Sequence, residues 1–374
     1  EINDEESHGD YSTSCALKLA KTFSMNPREV AESLVEHLTL PSIKSLAVEG
    51  AGFINVYLTS NEKSLLLKEI VKLDSEWGKN EKNKGKILIE FVSSNPTGPL
   101  HVGHGRGAVL GMALSNLLEN SGYKVTKEYY VNDAGRQISI LISSILVKAY
   151  IKNFNIDGMY EGSYIHELAQ EFSKDHGKVD IALKSEELSD DKEKALDQIS
   201  EYFQTNHANE WEAAKNFSVA NILDTIKQEL HSFDIVHDNW FHESSLGSIQ
   251  DSDSDLSKSL SAIEKAGHTF SRDDAIWFRT TEFKDDKDRV LLRENGEPTY
   301  YLTDVGYHKN KIDRDYDLCI NIFGADHHGY ITRLTAAFDV MKSKEQEIEF
   351  MLYQLVNLYE DGNKRAMSTR KGEF

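Results

Sequence analysis

Glu90-Phe91-Val92-Ser93-Ser94-Asn95-Pro96-Thr97-Gly98-Pro99-Leu100-His101-Val102-Gly103-His104-Gly105-Arg106-Gly107 decides how this 374-residue chain reads. An apolar, strand-type run over 87–92 enters it, and helical patterning over 103–120 leaves it. Two of the five prolines fall inside, and five of the 23 glycines lie between Gly98 and Gly111. Punctuation this dense between a strand and a helix means that the backbone turns sharply and lets another group approach closely. The carboxyl end of a strand feeding a helix N-terminus is where α/β folds bind phosphates. His101 and His104 stand at that helix start, placed to donate to an anion that the helix dipole also favours.

Downstream, a second strand over 124–131 and a second helix over 137–151 follow. Strands alternating with helices predict a Rossmann-like parallel α/β sheet with right-handed crossovers. Over about 152–268 strand signals become sparse and the patterning turns helical, as in Ile222, Ile226, Leu230 and Phe233, so a mainly helical insertion is expected there. The acidic tract 248–259 reads as a surface loop. Strand signals resume at 275–278, 290–292, 318–323 and 348–358. Upstream, residues 1–78 read as a small α+β domain, and a lysine-rich joint from 79 to 85 opens the larger domain, 79–374. Within the small domain Asn26-Pro27-Arg28-Glu29 announces a helix, with Asn as N-cap and Pro at the first helical position. Two strands are expected around a Glu49-Gly50 turn.

Several chemistries compete for the glycine-rich loop. Gly103, Gly105 and Gly107 give GxGxG rather than the GxGxxG of a dinucleotide site, although Glu128 stands near the spacing of a ribose partner. No GxxxxGK[ST] loop occurs. A zinc site on His101 and His104 would have to recruit His327 and His328, with no thiolates to help. The histidines would also pass for polar loop residues, were it not for Met367-Ser368-Thr369-Arg370-Lys371-Gly372, which suits a cationic loop closing on a polyphosphate.

Pro99-Leu100-His101-Val102-Gly103-His104 resembles the HIGH signature of class I aminoacyl-tRNA synthetases, and Met367-Ser368-Thr369-Arg370 resembles their KMSKS loop. Val131-Asn132-Asp133-Ala134-Gly135-Arg136-Gln137-Ile138, Asp285-Asp286-Lys287-Asp288-Arg289-Val290 and Gly324-Ala325-Asp326-His327-His328-Gly329-Tyr330 are similar to arginyl-tRNA synthetases. So is His8-Gly9-Asp10-Tyr11-Ser12-Thr13, which matches that family's N-terminal additional domain. The resemblance covers nearly the whole chain in matching order. Ala366 and Thr369 replace two KMSKS lysines, which shifts cationic work on the phosphates to Arg370, Lys371 or Lys364. By the same resemblance, a C-terminal anticodon-binding domain and the start of the N-terminal domain are expected to lie outside this chain.

What the resemblance implies is an arginine–tRNA ligase that joins L-arginine to ATP as the adenylate and passes it to tRNA(Arg). His101, His104, Arg370 and Lys371 would be catalytic. Pro99, Gly103, Gly324, Asp326, His328, Met367 and Ser368 would join the histidines in holding ATP, with Mg2+ neutralising the pyrophosphate and no protein metal site. Glu90, Ser94, Asn95, His101, Tyr300 and Asp304 would hold arginine, since a planar cation calls for carboxylates. Asp285 to Arg289 reads as a salt-linked turn ahead of a tRNA contact. A non-catalytic tRNA-binding relative and another HxGH nucleotidylyltransferase are the competing functions. A monomer is expected.

Composition narrows the rest. With 62 acidic against 42 basic residues the net charge is −20, which opposes non-specific coating of nucleic acid while leaving a local basic patch free to grip phosphates. Cys15 and Cys319 offer neither a disulfide framework nor a CxxC site. The apolar stretch 138–147 has about half the ~20 residues of a membrane-spanning helix. The opening residues have no basic start or apolar core of a secretory signal, so a cytoplasmic protein is expected.

Overall fold

The computed structural model describes residues 8–80, 83–154, 156–342, 345–365, 367 and 369–371. The chain divides into two compact units, Glu1–Lys79 and Asn80–Phe374.

In the first unit, β1 (Tyr11–Thr13), β2 (Ile43–Glu49) and β3 (Phe53–Leu58) form an antiparallel sheet in the order β1-β3-β2, joined by α1 (Cys15–Phe23), α2 (Pro27–His37) and α3 (Ser60–Leu73). Asn26 caps α2 by accepting the Arg28 N–H at 2.9 Å, and Pro27 opens the helix. Its core is Ala16, Ala20, Val30, Ala31 and Ile54, so small alanines let two short helices lie close to the sheet.

The second unit runs β4 (Lys86–Glu90), α4 (Val102–Asn120), β5 (Lys124–Val131), α5 (Gly135–Tyr150), α6 (Ser163–His176), α7 (Lys192–Asn206), α8 (Ala208–His231) and β6 (Asn239–His242). It continues with α9 (Asp255–Lys265), β7 (Thr269–Arg272), β8 (Ala275–Phe278), β9 (Arg289–Leu292) and α10 (Tyr300–Asp313). Then come β10 (Leu318–Gly324), α11 (His328–Met341), β11 (Glu347–Tyr353), β12 (Leu358–Glu360) and β13 (Asn363–Arg365). Five strands form one parallel sheet in the order β11-β10-β4-β5-β6.

Alternation along each strand sends side chains to two separate apolar layers. Ile87, Ile89, Tyr129, Val131, Ile320 and Ile322 face a layer built with α4 to α8, whereas Leu88 and Cys319 face a layer built with α9 to α11. Phe91 packs so tightly under α4 that a Cβ on Gly111 would lie 2.2 Å from its ring, so only glycine fits there.

The same alternation puts a polar row on the α10 side. Asn321, Glu90, Glu128 and Asn239 are in register across β10, β4, β5 and β6. Glu90 and Glu128 are buried. Two cations three residues apart, one in the last turn of α10 and one capping its C-terminus, meet them. Lys311 donates to Glu90 Oε2 at 2.6 Å and to Asn321 Oδ1 at 2.5 Å. Arg314 forks onto both oxygens of Glu128, one bond at 2.8 Å, while Tyr307 donates to Glu128 Oε1 at 2.7 Å. Burial alone raises a carboxyl's pKa, yet against that desolvation these partners hold Glu128 below its ordinary value.

The structure departs from the sequence reading at four places. Asn239–His242, within the stretch expected to be helical, returns to the sheet as its edge beside β5; four residues are too few to show a strand period. The acidic tract read as a loop becomes helical at Asp255, capped by Ser254, with Leu256, Leu260 and Ile263 buried. Acidic and serine residues between these positions mask the stripe, and one of the serines, Ser259, is itself buried within it. The signals at 275–278 and 290–292 belong to a separate antiparallel sheet, β7-β8-β9, and the strand expected to reach 358 ends at Tyr353. Beside that sheet, the turn expected at Asp285–Arg289 is closed by Arg289, which donates to both Asp285 oxygens at 2.7 and 2.9 Å.

Arg314→Ala should cost ~3–5 kcal/mol in urea denaturation, because it strands a buried carboxylate. Arg314→Met combined with Glu128→Gln should recover most of that loss.

Candidate active site

Beyond Glu90 the chain bends through two left-handed residues that are not glycine, Val92 (φ 70°) and Ser93 (φ 42°). A β-branched residue there is strained by ~1–3 kcal/mol. The bend lets the Ser93 hydroxyl donate to Glu90 Oε1 at 3.0 Å while accepting the Tyr130 N–H at 3.1 Å, tying the end of β4 to β5. The rest of the loop is held from outside. Tyr129 donates to the Ser94 carbonyl at 2.9 Å, and Ser94 Oγ lies 2.6 Å from the Tyr129 hydroxyl. Tyr164 donates to the Thr97 carbonyl at 2.7 Å, and the Leu100 N–H donates to Glu229 Oε2 at 3.0 Å.

The histidines finish the loop and start α4. The Gly103 N–H donates to His101 Nδ1 at 3.1 Å, and the His101 N–H donates to His104 Nδ1 at 3.2 Å. The rings stack with centroids 3.8 Å apart. Because both Nδ1 atoms accept, each ring is the tautomer whose Nε2 carries the proton. Burial lowers the pKa of His101, and burial together with the neighbouring His101 lowers that of His104 to about 4. At neutral pH the pair are uncharged N–H donors at a helix N-terminus.

Two adjoining cavities open on this start. The larger, about 790 Å³, is lined by Glu90, Ser94, Asn95, His101, Gly103, His104, Tyr300, Asp304, Gly324, Asp326 and Met367 among the residues singled out from sequence. The smaller, about 400 Å³, lies against Ser94, Asn95, Pro99, His101, His104, Met367 and Arg370. Arg370 sits 5.3 Å from the centre of the Tyr160 ring, and its carbonyl accepts the Glu161 N–H at 3.1 Å. Lys371 is exposed and, among the described residues, lines neither cavity. Nor does His328: the short turn Ala325–His327 instead presents His327, with Phe323 and Tyr330 at ring distances of 5.4 and 6.1 Å. Gly324 admits the Asp326 carboxylate, which a Cβ would meet at 2.5 Å. Ser368, Ala366 and the Lys364 side chain lie outside the described residues.

Asn95 donates to Gln137 Oε1 at 2.9 Å, which fixes its amide and leaves Oδ1 as its acceptor. Tyr300, 61% exposed, stands at the cavity mouth. One turn further along α10, the half-buried Asp304 carboxylate accepts no hydrogen bond from any described residue. Desolvation, then Glu243 and Glu90, push its pKa up to about 7. An acid left without a partner in this way is a site short of one cation. No cluster of three His, Cys, Asp or Glu suited to a metal occurs among the described residues.

Sequence reading passed over Gln137, Tyr130, Tyr307, His308 and Lys311, all of which belong to or brace this site. A signal existed for α10: Tyr300, Asp304, Tyr307, Lys311 and Arg314 recur at helical spacing, a polar stripe where a core stripe would stand.

A family model described as tRNA synthetases class I (R), catalytic domain, matches residues 66–374, and one described as Arginyl tRNA synthetase N terminal domain matches 1–58. The chain belongs to the class I arginyl-tRNA synthetase family. Among relatives, an arginine–tRNA ligase of Legionella pneumophila (strain Paris) is 42% identical over 390 residues, covering 99% of this chain and 65% of that protein. One from Psychrobacter cryohalolentis is 39% identical over 397 residues, covering 99% and 64%. The chain thus spans about 65% of the length of such relatives. A crystal structure of a putative arginyl-tRNA synthetase from Campylobacter jejuni superposes with a TM-score of 0.68 at 35% identity, covering 83% of this chain and 63% of that one. Thermus thermophilus arginyl-tRNA synthetase, 21% identical, shares the fold at a TM-score of 0.69 over 95% of this chain and 61% of that one. No described helix is long and apolar enough to cross a membrane.

A carboxyl whose pKa is raised on folding stabilises the protein below its unfolded value, and that stability is lost as pH rises through the folded value. Asp304→Asn should therefore flatten a decline in Tm between pH 5 and pH 8, with little change at pH 4. An unchanged decline would place the titration elsewhere.

Proposed function

We propose that this chain activates L-arginine with ATP and passes the arginyl group to tRNA(Arg), releasing pyrophosphate and then AMP. The observation that carries the reading is the uncompensated Asp304 carboxylate in a cavity that ends on a capped helix start with two neutral histidine donors. Membership of the family supports it.

In this reading the guanidinium takes the place of the missing cation beside Asp304 and Glu90, with Tyr300 over the mouth and Asn95 Oδ1 receiving the α-ammonium group. The substrate carboxylate is already a nucleophile. Its oxygen attacks the α-phosphorus, the bond to the β-bridging oxygen breaks, and pyrophosphate leaves. The chain's part is positioning and charge stabilisation. His101 and His104 donate Nε2–H bonds to phosphate oxygens at the positive end of α4, and Arg370 adds a cation from the far wall. Mg2+ enters as part of the ATP complex, on phosphate oxygens. Gly324 and Asp326 receive the adenosine ribose. In the second step a hydroxyl oxygen of the tRNA's terminal ribose attacks the arginyl carbonyl, the bond from the carbonyl carbon to the phosphate oxygen breaks, and the hydroxyl proton passes to the departing AMP phosphate. A role with tRNA sets the working compartment as the cytoplasm.

With each Nδ1 occupied by a backbone N–H and each Nε2 already protonated, neither histidine offers a free lone pair as a general base, and the mechanism needs none. His104→Ala should leave the fold intact and slow adenylate formation by ~10²–10³, the loss typical of one transition-state donor; near-unaltered activation rates would remove it from the mechanism. Calorimetry with arginyl-sulfamoyl-adenosine should show binding at least ~100-fold tighter than the citrullyl analogue, since a neutral isostere leaves the Asp304 carboxylate unpaired. Equal binding of both would retain an adenylate site and defeat the arginine assignment. Binding of neither to the folded chain would favour a non-catalytic relative.

A further inference from the structure

Lys311 is fully buried, has no route to solvent for its charge, and is absent from the cavity lining, yet it reaches the one carboxylate that ends β4 inside the cavity. Its ammonium donates to Glu90 Oε2 and Asn321 Oδ1 and lies 4.1 Å from the centre of the Tyr307 ring. With Ser93 on Oε1, both Glu90 oxygens are fixed and the Glu90 charge is cancelled from behind. Asp304, on the same helix, has no such partner.

We infer that Lys311 is the positioning residue that sets the charge of the amino-acid pocket. By neutralising and orienting Glu90 it leaves Asp304 as the one uncompensated carboxylate at that end of the cavity, matched to a side chain bearing a single positive charge. The inference rests on the arginine reading above. A pocket presenting two free carboxylates would hold a proton between them at neutral pH, since neighbouring like charges do not both ionise readily. Binding a cation would then compete with that proton. Lys311 lessens that competition.

The groups facing Asp304 are Glu90 from β4, Tyr130 from β5, Glu243 after β6, Tyr301, Lys311 and His308 from α10, and Arg333 from α11. Tyr130 donates to Glu243 at 2.7 Å, and both stay protonated more readily than usual, chiefly through burial. His308 is neutral, its pKa brought down to about 3 by burial and by Lys311. Of the groups that ionise near neutrality, Asp304 is the one whose charge the ligand needs.

The test is the pH dependence of arginyl-sulfamoyl-adenosine binding to the 374-residue chain. In the wild type, affinity should rise with pH and level off above a midpoint near 7, where Asp304 ionises. Lys311→Met should move that midpoint up by about one unit, lowering affinity at pH 7 by ~5-fold, with convergence on the wild type at higher pH. A loss of affinity equal at all pH values, or an unmoved midpoint, would reduce Lys311 to a structural residue and overturn the inference. If Lys311→Met does not fold, the comparison moves to Glu90→Gln against Glu90→Gln with Lys311→Met. The midpoint should fall in the first, where Lys311 acts on Asp304 unopposed, and climb again in the second. Equal midpoints overturn the inference. Wild-type binding that fails to discriminate arginyl from citrullyl would instead defeat the arginine reading itself, so the two failures are distinguishable.

Discussion

Two carboxylates lie side by side beneath α10, on adjacent parallel strands and at paired positions, Glu90 opposite Glu128. Left alone they would repel each other in a medium that screens poorly. Lys311 and Arg314, one helical turn apart, resolve the conflict by planting one cation on each. Everything that positions the cavity follows from this arrangement. It fixes the rotation of α10 about its axis, which places Asp304 and Tyr300 at the cavity wall. It fixes the end of β4, from which the strained loop departs toward α4.

The loop shows the complementary strategy. Val92 and Ser93 adopt a conformation that glycine would take without cost, and surrounding bonds from Tyr129, Tyr164 and Glu229 hold the following segment. Strain held by several external anchors gives a rigid turn, whereas glycine at the same positions would give a floppy one. Glycine is used further on, in α4, where Gly107 passes the Tyr353 ring and Gly111 the Phe91 ring too closely for a Cβ. The histidines need the same rigidity, because their tautomers depend on backbone N–H groups within the first turn of the helix.

Much of this was legible in the sequence. The strand, glycine-rich turn and helix of 87–120 carried their period and punctuation openly, and Asn26-Pro27 marked a helix start that the structure reproduces. Legibility failed where tertiary partners do the specifying. Asn239–His242 is too short to declare itself as a strand, and α9 hides three buried apolar residues among serines and acids. Within the site, His101 and Asp304 stood out by type and place. Lys311 did not, because a lysine in a polar helix ordinarily belongs to the solvent. Only the register of three strands reveals that it points inward. His327 and His328 are adjacent and alike in sequence, and a single turn of backbone decides which of them meets the cavity.

The polar row also bears on how the chain assembles. Parallel strands far apart in sequence have to find one alignment among several, and apolar side chains alone distinguish those alignments weakly. A slip of one residue in β4 would turn Glu90 toward the layer that receives Ile87 and Ile89, burying a carboxylate among hydrocarbon with no cation in reach, at a cost of several kcal/mol. The same holds for Glu128 on β5. The two acids thus act as indexing marks for the sheet: misaligned pairings are rejected early, and only the correct one admits α10.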